Sequence, residues 1–323
     1  MATTITLTAE LDGSLDDFVD ELAAALSRRG IEFDPQSRVV EWHEADWQPD
    51  AKSELELRHD GDWIVVELRG FGGSFWDDAE LLGWFADAVT ASFLEAASPP
   101  ALGDWLTDRA ARRPSGAAQR AGYRDPSHHR PSFGAILERL QLGPDDVLLE
   151  IGCGGGAFLE QALRSGCRAK AVDHSPDMVR LAREVNPAAI EERRLEIVQA
   201  SAEQLPFADD SCTCAAMMQV FFFVDSERVL AECRRVVQEG GTLAVFTVTE
   251  AAKGSPAAPE PMASRGRFYT DEQLVGLARA AGFPNATVEH PDLEPHAREA
   301  GLPDDVISVF TGVRELSQLL VAR

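Results

Sequence analysis

The chain has 323 residues, 45% of them apolar, and this length predicts two packed domains. Its 54 acidic and 30 basic residues give a formal net charge of −24, which repels a polyanion and counts against DNA or bulk RNA as a partner. The basic run Arg109, Arg112, Arg113, Arg120 and Arg124 is the one candidate for a local basic groove, and we interpret it as a solvated linker or helix face.

The five cysteines and the amino terminus predict a cytoplasmic protein. The cysteines form no C-x-x-C pair and their number is odd, which favours free thiols over a disulfide framework. Cys212 and Cys214 are interpreted as small apolar residues on one strand rather than as metal ligands. The amino terminus lacks a basic region followed by an apolar core, and no window approaches 18 apolar residues, so neither export nor membrane insertion is predicted.

Residues 1–99 are predicted to form one α+β unit. ITLTAEL is typical of a strand, and a following helix is expected to bury Phe18 and Leu22. RVVEW, SELELRH and DWIVVELRG alternate as sheet strands, with a tight hairpin turn at 60–62. A long helix over 76–97 carries an apolar stripe, which the sheet would bury.

The segments EWHEADW and ELLGWFADAVTASFLEAASP resemble the SRPBCC, or START-like, helix-grip superfamily. The resemblance implies a curved sheet closed by a long helix, often around a ligand cavity, although this unit is shorter than a full member. Whether the unit binds a ligand or mediates association, for example into a homodimer, stays open. Glu41, His43, Glu44 and Asp46 are interpreted as a solvated edge, so no metal site is predicted.

Residues 100–130 are predicted to be a connector, and 131–323 a second domain in which strands and helices alternate. The predicted strands are DVLLEI, AKAVD, LEIVQA, CAAMMQVFFFV and TLAVFTV, with ATVEH and ELSQLLVAR at one edge. The predicted helices between them include GAFLEQALRSG, one capped by Ser175, SERVLAECRRVVQEGG ended by its glycines, and TDEQLVGLARAAG opened by Thr270 and Gln273. This order predicts an α/β fold with a doubly wound, mostly parallel seven-stranded sheet.

The stretch LLEIGCGGGAF joins a strand to a helix through four glycines, which let a ligand approach the backbone. Gly152, Gly154 and Ala157 satisfy the loose dinucleotide pattern G-x-G-x-x-A, with Asp173 at the end of the next strand as a ribose ligand. Glu150, Gly152, Gly154 and Gly156 also satisfy acid-x-G-x-G-x-G. On this segment alone, nicotinamide or flavin binding stays open beside a second type of nucleoside cofactor.

Segments downstream separate the two patterns. VDHSPDMVRLAR, ASAEQLPFADDS, VFFFVDSERVLAECRRVVQEGGTLAVFT and RFYTDEQLVGLARAAGF follow the glycine loop in order. Together they resemble the class I S-adenosylmethionine-dependent methyltransferases that act on small molecules such as quinone precursors. The resemblance covers residues 120–323 and implies a Rossmann-like methyltransferase fold that uses S-adenosylmethionine to methylate a small molecule.

The resemblance also implies a set of cofactor-binding residues. The loop Gly152, Cys153, Gly154 and Gly156 would cradle the methionine and ribose portions of the cofactor. Glu150 would reach the amino group, Asp173 the ribose hydroxyls, and Tyr123 the carboxylate. The remaining candidates are His174, Met178, Ser201, Ala202 and Glu203 around the adenine, and Met217 and Gln219 beside the transferable methyl group. Ser201 and Thr213 depart from the family, which usually has aspartate at the first position and Phe-Asp at the second.

Methyl transfer from a sulfonium is an in-line displacement that requires alignment and at most a modest base, so no obligatory catalytic side chain is expected. His128 and His129 are the best base candidates, because the connector would cover the cofactor in this fold. His290 and His296, near the far edge strand, are weaker candidates.

Residues 249–268 interrupt a strand-to-helix connection with alanine, proline and glycine, and we predict that they form a lid over the acceptor. Phe221, Phe222 and Phe223 fit either an apolar pocket wall or a core strand. The favoured function is therefore methylation of a small molecule. The alternatives are an oxidoreductase that uses NAD(P) or a flavin and a cofactor-binding sensor without catalysis.

Overall fold

A computed structural model describes residues 3–10, 15–28, 31–36, 39–41, 52–60, 63–71, 107, 111–114, 117–255, 257–258, 262–304, 306–307 and 314–323. The chain divides into two compact units, Met1–Ala111 with Ser115–Gln119, and Arg112–Pro114 with Arg120–Arg323. The two units are described separately. The predicted helix over 76–97 lies outside the described residues.

The amino-terminal unit contains an antiparallel five-stranded sheet in the order β1-β5-β4-β3-β2. Its elements are β1 (Thr3–Glu10), α1 (Leu15–Ser27), β2 (Glu32–Phe33), β3 (Val39–Glu41), β4 (Lys52–Asp60) and β5 (Trp63–Phe71). Asp60 pairs with Trp63, so β4 and β5 form the predicted tight hairpin. Helix α1 buries Phe18, Leu22 and Leu26, which lie on one face at helical spacing.

The second unit contains a seven-stranded sheet in the order β11-β12-β10-β9-β6-β7-β8. Five strands are parallel: β6 (Val147–Ile151), β7 (Arg168–Asp173), β8 (Leu195–Gln199), β9 (Cys212–Met218) and β10 (Val237–Val248). Strand β12 (Ser317–Ala322) runs antiparallel between β10 and β11 (Ala286–Glu289). The predicted doubly wound, mostly parallel sheet is confirmed.

Helices cover both faces of this sheet. Their bounds are α2 (Ala117–Arg124), α3 (Arg130–Leu140), α4 (Ala157–Ala162), α5 (Pro176–Val185), α6 (Pro187–Glu191), α7 (Ser226–Val236), α8 (Asp271–Ala280) and α9 (Glu294–Glu299). Neighbouring residues of β6 point to opposite faces, so Leu148 packs with Phe133 and Phe158, whereas Leu149 packs with Val229 and Leu274. Burial on both faces explains why these strands are almost continuously apolar.

Local signals fix the starts of two helices as the sequence predicts. The Ser175 hydroxyl accepts from the Met178 backbone N–H at 3.3 Å and caps α5, which has a proline in its first turn. Thr270 and Gln273 form a reciprocal capping box at the start of α8. Each cap satisfies backbone N–H groups that a helix leaves without an internal partner.

Two predicted elements end earlier than the sequence pattern suggests. Strand β9 stops at Met218 because Gln219 adopts φ +57° and donates its N–H to the Phe246 carbonyl at 2.9 Å. Phe221–Phe223 then form a short 3-10 turn instead of continuing the strand. Helix α7 ends at Val236, before its glycines, because 237–241 already belong to β10, where Gly241 lies against the Thr213 carbonyl.

All five cysteines are buried and none forms a disulfide. Within the ranges that the structure describes, no helix combines the length and the apolar character that crossing a membrane requires.

Candidate cofactor and acceptor site

The carboxyl ends of four parallel strands bring most candidate cofactor residues to one edge of the sheet. In the strand register, Ile151 lies beside Val172 and Met217, and Asp173 lies beside Gln199. The loop after β6 and the segments after β7, β8 and β9 therefore open on the same side. Open α/β sheets bind ligands at this edge, where the strand order reverses.

Asp173 holds the glycine loop to the start of α5. Its Oδ2 accepts from the Gly154 backbone N–H at 2.9 Å, and its Oδ1 accepts from the Ser175 backbone N–H at 2.8 Å. The side chain is 8% exposed, and burial raises its pKa although these two hydrogen bonds act to lower it. A carboxylate has about four lone-pair positions, so each oxygen keeps capacity for one further donor.

Side chains of the same unit fill the spaces that the loop glycines leave. The Tyr123 ring lies over Gly154, where an added Cβ would come 3.0 Å from Cδ1, and Gly154 has φ +49°. Val220 lies over Gly152, where a Cβ would collide with its side chain. Burial, with a contribution from Asp173, raises the pKa of Tyr123 to about 12. The phenol is therefore neutral and covers the loop with an apolar face.

Glu150 places a carboxyl group beneath this loop. The side chain is 4% exposed, and within the described part of the chain its Oε2 has no hydrogen-bond partner. Burial raises its pKa well above the ordinary value, and the nearby charge of Asp173 raises it further. A buried acceptor without a donor is costly, which indicates that a ligand or solvent donor completes this site.

Four further contacts fix the position of α5 and of the segment before it. Asn186 Nδ2 donates to the Gly156 and Ala182 carbonyls, each at 3.0 Å. The Ser175 hydroxyl donates to the Pro114 carbonyl, and Arg120 pairs with Asp177 at 2.9 Å. The predicted basic run therefore contributes at least one arginine to an ion pair within this unit.

The candidate adenine residues lie next to Asp173. The Ala200 N–H donates to the Asp173 carbonyl at 3.1 Å. Ser201 Oγ accepts from the Glu203 N–H at 3.2 Å, and Glu203 Oε1 accepts from the Asp225 N–H at 3.0 Å. Glu203 is thus engaged in ordering the start of α7, and the half-buried Ala202 lies between the two polar residues.

The remaining cofactor candidates differ in exposure. His174 is exposed, whereas Met178 and Met217 are each 0% exposed and belong to the packed interior. Cys153 is also buried, and burial holds its thiol pKa well above the ordinary value, so the thiol is not a nucleophile. Gln219 is half-buried at the end of β9.

His128 and His129 form a short turn directly before α3. Their ring centroids are 4.1 Å apart with an interplanar angle of 47°. Burial lowers the pKa of His128, whereas burial together with His128 lowers the pKa of His129 to about 3. Both imidazoles are neutral at pH 7, and His129 is the weaker base.

An apolar cluster lies after β9 and β10. Phe222 contacts Phe223 at a centroid distance of 4.4 Å and stacks on Phe268 at 6.0 Å. Ala252, Ala258 and Ala263 from the predicted lid pack in the same cluster, with Val248 and Leu316. The lid segment and the phenylalanine turn therefore pack into one buried apolar cluster at the carboxyl edge of the sheet, with Phe223 and Phe268 only half-buried.

Residues 149–245, which include the glycine loop and Asp173, match the family described as a methyltransferase domain. Over this segment the chain is similar to methyltransferase domains, which agrees with the predicted class I S-adenosylmethionine-dependent type and with S-adenosylmethionine as the cofactor. The buried, partnerless Oε2 of Glu150 fits this cofactor, because it offers an acceptor to an ammonium group.

Two curated relatives carry the name ubiquinone biosynthesis O-methyltransferase. The protein from Xanthomonas campestris pv. campestris (strain B100) is 29% identical over 107 residues, covering 32% of this chain and 44% of the relative. The Paraburkholderia phymatum protein is 26% identical over 171 residues, covering 49% of this chain and 73% of the relative. The chain thus spans less than half of the first relative's length.

A solved structure shows the same fold around the methyltransferase domain. A chain from the complex of the Haloferax volcanii Trm112 methyltransferase activator with a methyltransferase superposes with a TM-score of 0.53 at 22% identity. The match covers 67% of this chain and 96% of that one. The Rossmann-like fold is therefore shared.

Sequence reasoning missed Val220 and Asn186. Val220 lies within an apolar run, and its position over Gly152 depends on the turn that Gln219 introduces. Asn186 follows α5 and bonds to a residue 30 positions earlier, so no local pattern indicates its role. In the described part of the chain, His, Cys, Asp and Glu side chains form no group of three or more arranged for a metal ion. Of the four side chains considered as metal ligands, His43, Glu44 and Asp46 lie outside the described residues.

Proposed function

We propose that the protein transfers a methyl group from S-adenosylmethionine to a small-molecule acceptor. The observation that carries the proposal is the buried Glu150 carboxyl with a partnerless oxygen beneath a loop that Asp173 holds in place. The Glu150 carboxyl beneath the loop favours an ammonium group, which stabilises its ionised form, over the pyrophosphate of NAD(P) or a flavin dinucleotide. Asp173 fits the ribose of either cofactor and does not discriminate between them.

Each of the two carboxyl groups has a distinct role in this proposal. Glu150 accepts from the amino group of the cofactor, directly or through water, and this interaction favours the ionised form of Glu150. Asp173 keeps its two backbone hydrogen bonds and accepts from the ribose hydroxyls with its remaining lone pairs. Tyr123 covers the methionine end of the cofactor, where its neutral hydroxyl donates to the carboxylate.

The adenine lies beside the segment after β8 in this proposal. His174 is exposed and free to cover one face of the base, whereas the buried Met178 shapes the floor from below. Ser201, Ala202 and Glu203 border the adenine edge. Because Ser201 replaces an acid and Glu203 is already bonded to the Asp225 N–H, backbone groups carry more of the recognition.

When bound, S-adenosylmethionine would supply a sulfonium-linked methyl group, which the acceptor attacks in line so that the sulfur leaves as the neutral thioether of S-adenosylhomocysteine. The protein orients the acceptor and excludes water, with Met217 and Gln219 at the end of β9 beside the reacting centre. His128 takes the acceptor's proton if the acceptor is a hydroxyl group or a protonated amine that must lose a proton before it attacks. It is preferred over His129 because a group with a pKa of about 3 is a poor base at pH 7.

The acceptor is a small apolar or aromatic molecule. The half-buried Phe223 and Phe268, which pack on the buried Phe222 and the lid alanines, support this class, since aromatic side chains favour contact with apolar rings. The names of the two curated relatives, which refer to ubiquinone biosynthesis, agree with such an acceptor.

We further propose that residues 1–99 form a small helix-grip-like domain, 100–130 a covering connector and 131–323 the catalytic domain of a cytoplasmic protein without nucleic-acid or membrane partners. The antiparallel five-stranded sheet supports the first assignment, and Tyr123 over Gly154 supports the second. We also propose that the first domain mediates formation of a homodimer. Sedimentation of the full chain tests this role.

Two measurements test the proposed function. Native mass spectrometry after mild purification is expected to find S-adenosylmethionine or S-adenosylhomocysteine retained, and retained NAD(P) or flavin would contradict the proposal. Incubation with trideuteromethyl-labelled S-adenosylmethionine and the small-molecule fraction of a cell extract should then label one acceptor. Binding without any labelled acceptor would support the sensor alternative.

A further inference from the structure

A second concave site lies at the opposite edge of the methyltransferase sheet. This cavity of about 510 Å³ lies where β6, β7 and β8 begin, whereas the cofactor loop follows their carboxyl ends. Five basic side chains line it: Arg168, Lys170, Arg183, Arg193 and Arg194. Glu196 is the acidic residue of the lining, in a protein whose acidic residues outnumber basic ones by 54 to 30.

Only some of these cations are paired with a carboxylate. Arg194 pairs with Glu192 at 2.7 Å and also donates to the Cys167 carbonyl at 3.3 Å. Lys170 lies 5.1 Å above the Phe207 ring instead of against a carboxylate. Within the described residues, neither Arg168 nor Arg193 forms an ion pair, and both are exposed.

A backbone hydrogen bond brings the chain segments that carry Arg168 and Arg194 next to each other. Ala169 N–H donates to the Arg194 carbonyl at 2.7 Å, which brings the start of β7 next to the residues before β8. Like charges held close together repel, so this arrangement favours the binding of an anion.

Arg193 occupies a position where a side chain is unfavourable. Its φ is +57°, and the N–H groups of Arg193 and Arg194 donate to the Ile190 and Ala189 carbonyls at 2.9 and 2.8 Å. This pattern is the Schellman motif, in which glycine is usual at the left-handed residue. Glycine suits this position, so a glycine substitution would remove the Arg193 side chain without straining the backbone.

We propose that this cavity binds a small molecule that joins a phosphate or diphosphate group to an apolar body. The arginine forks match phosphate oxygens, and the partly buried Ile190, backed by the buried Ala169 and Leu195, forms the apolar part of the lining. The size of the cavity suits a small ligand. A nucleic acid would in addition meet the repulsion of the whole protein's charge of −24.

Calorimetric titration of the full chain with phenyl phosphate tests the site, with saturating S-adenosylhomocysteine to block the cofactor loop. We expect saturable binding, weaker binding of inorganic phosphate, and no binding of phenol. The double variant Arg168→Gln with Arg193→Gln should raise the Kd for phenyl phosphate about tenfold, and the matched variant Arg279→Gln on α8 should leave it unchanged.

Arg193→Gly separates ligand binding from structure. Glycine suits the left-handed position, so the urea midpoint should stay the same or rise while phenyl phosphate affinity falls. The proposal is overturned if neither phosphate binds or if the double variant binds like the wild type. It is also overturned if an RNA oligonucleotide binds more tightly with the same arginine dependence. None of these outcomes depends on the methyl-transfer reaction.

Discussion

The backbone N–H of Gly154 donates to Oδ2 of Asp173 at 2.9 Å, so the proposed ribose ligand also determines the shape of the glycine loop. The other oxygen of Asp173 bonds to the Ser175 N–H at the start of α5. One carboxylate thus joins β7, the loop after β6 and α5. Replacing Asp173 therefore affects both loop order and ligand contact.

Two substitutions of Asp173 separate these effects. Asp173→Ala removes every acceptor and should weaken S-adenosylhomocysteine binding at least tenfold, since hydrogen bonds to charged groups contribute about 1.5–3 kcal/mol each. Asp173→Asn keeps one carbonyl acceptor and should show a smaller loss. Calorimetry gives both affinities, with the exposed Glu191→Gln as the control. Equal affinity of Asp173→Ala and wild type would exclude Asp173 from the ribose site.

Gly154→Ala should disturb the loop through backbone conformation and through contact with Tyr123. At φ +49°, alanine costs about 1–2 kcal/mol, and its Cβ would lie 3.0 Å from the Tyr123 ring. We expect lower stability in urea unfolding, part of which Tyr123→Ala restores in the double variant. Gly276→Ala on α8 is the control, because space around it is open within the described residues and it should gain about 0.5–1 kcal/mol. Strict additivity of the two loop changes would contradict the contact.

His290 makes the stability of the structure at the carboxyl edge of the sheet depend on pH. Its Nδ1 lies 2.8 Å from the Ser317 carbonyl oxygen and its Nε2 lies 2.9 Å from Asp271 Oδ2. Both partners are acceptors, so the imidazolium form satisfies them best. The hydrogen bond to Asp271 is the main cause that raises the pKa of His290, while Gln318 and His290 lower the pKa of Asp271.

The sign of the resulting effect follows from linkage. The stability that His290 contributes is fully present below its ordinary pKa of about 6.5 and is lost as the pH rises through the raised value. Asp271→Asn should lower the His290 pKa in an NMR titration. It should also make the urea midpoint less dependent on pH between pH 6 and 9. His174→Ala, at an exposed residue, is the control. An unchanged His290 pKa in Asp271→Asn would refute the coupling.

The sequence predicts the parallel sheet well because buried strands are continuously apolar and the helices carry explicit caps, as at Ser175 and Thr270. It predicts the strand through Phe223 wrongly because the turn depends on a tertiary bond from Gln219 to Phe246. The glycine loop and Asp173 can be predicted from the spacing of the motif residues in the sequence. The contacts of Val220 and Asn186, and the gathering of the arginines at the amino edge, depend on chain segments far apart in sequence.

The proposed cofactor site depends most directly on Glu150. Its role is tested by calorimetric titration of S-adenosylmethionine and of NAD(P) into wild type and Glu150→Gln. The affinities show whether a buried carboxyl selects a cationic ligand. The account predicts that wild type binds S-adenosylmethionine and not NAD(P), and that Glu150→Gln binds S-adenosylmethionine about tenfold more weakly while remaining folded. Binding of NAD(P) by wild type, with no binding of S-adenosylmethionine, would contradict it.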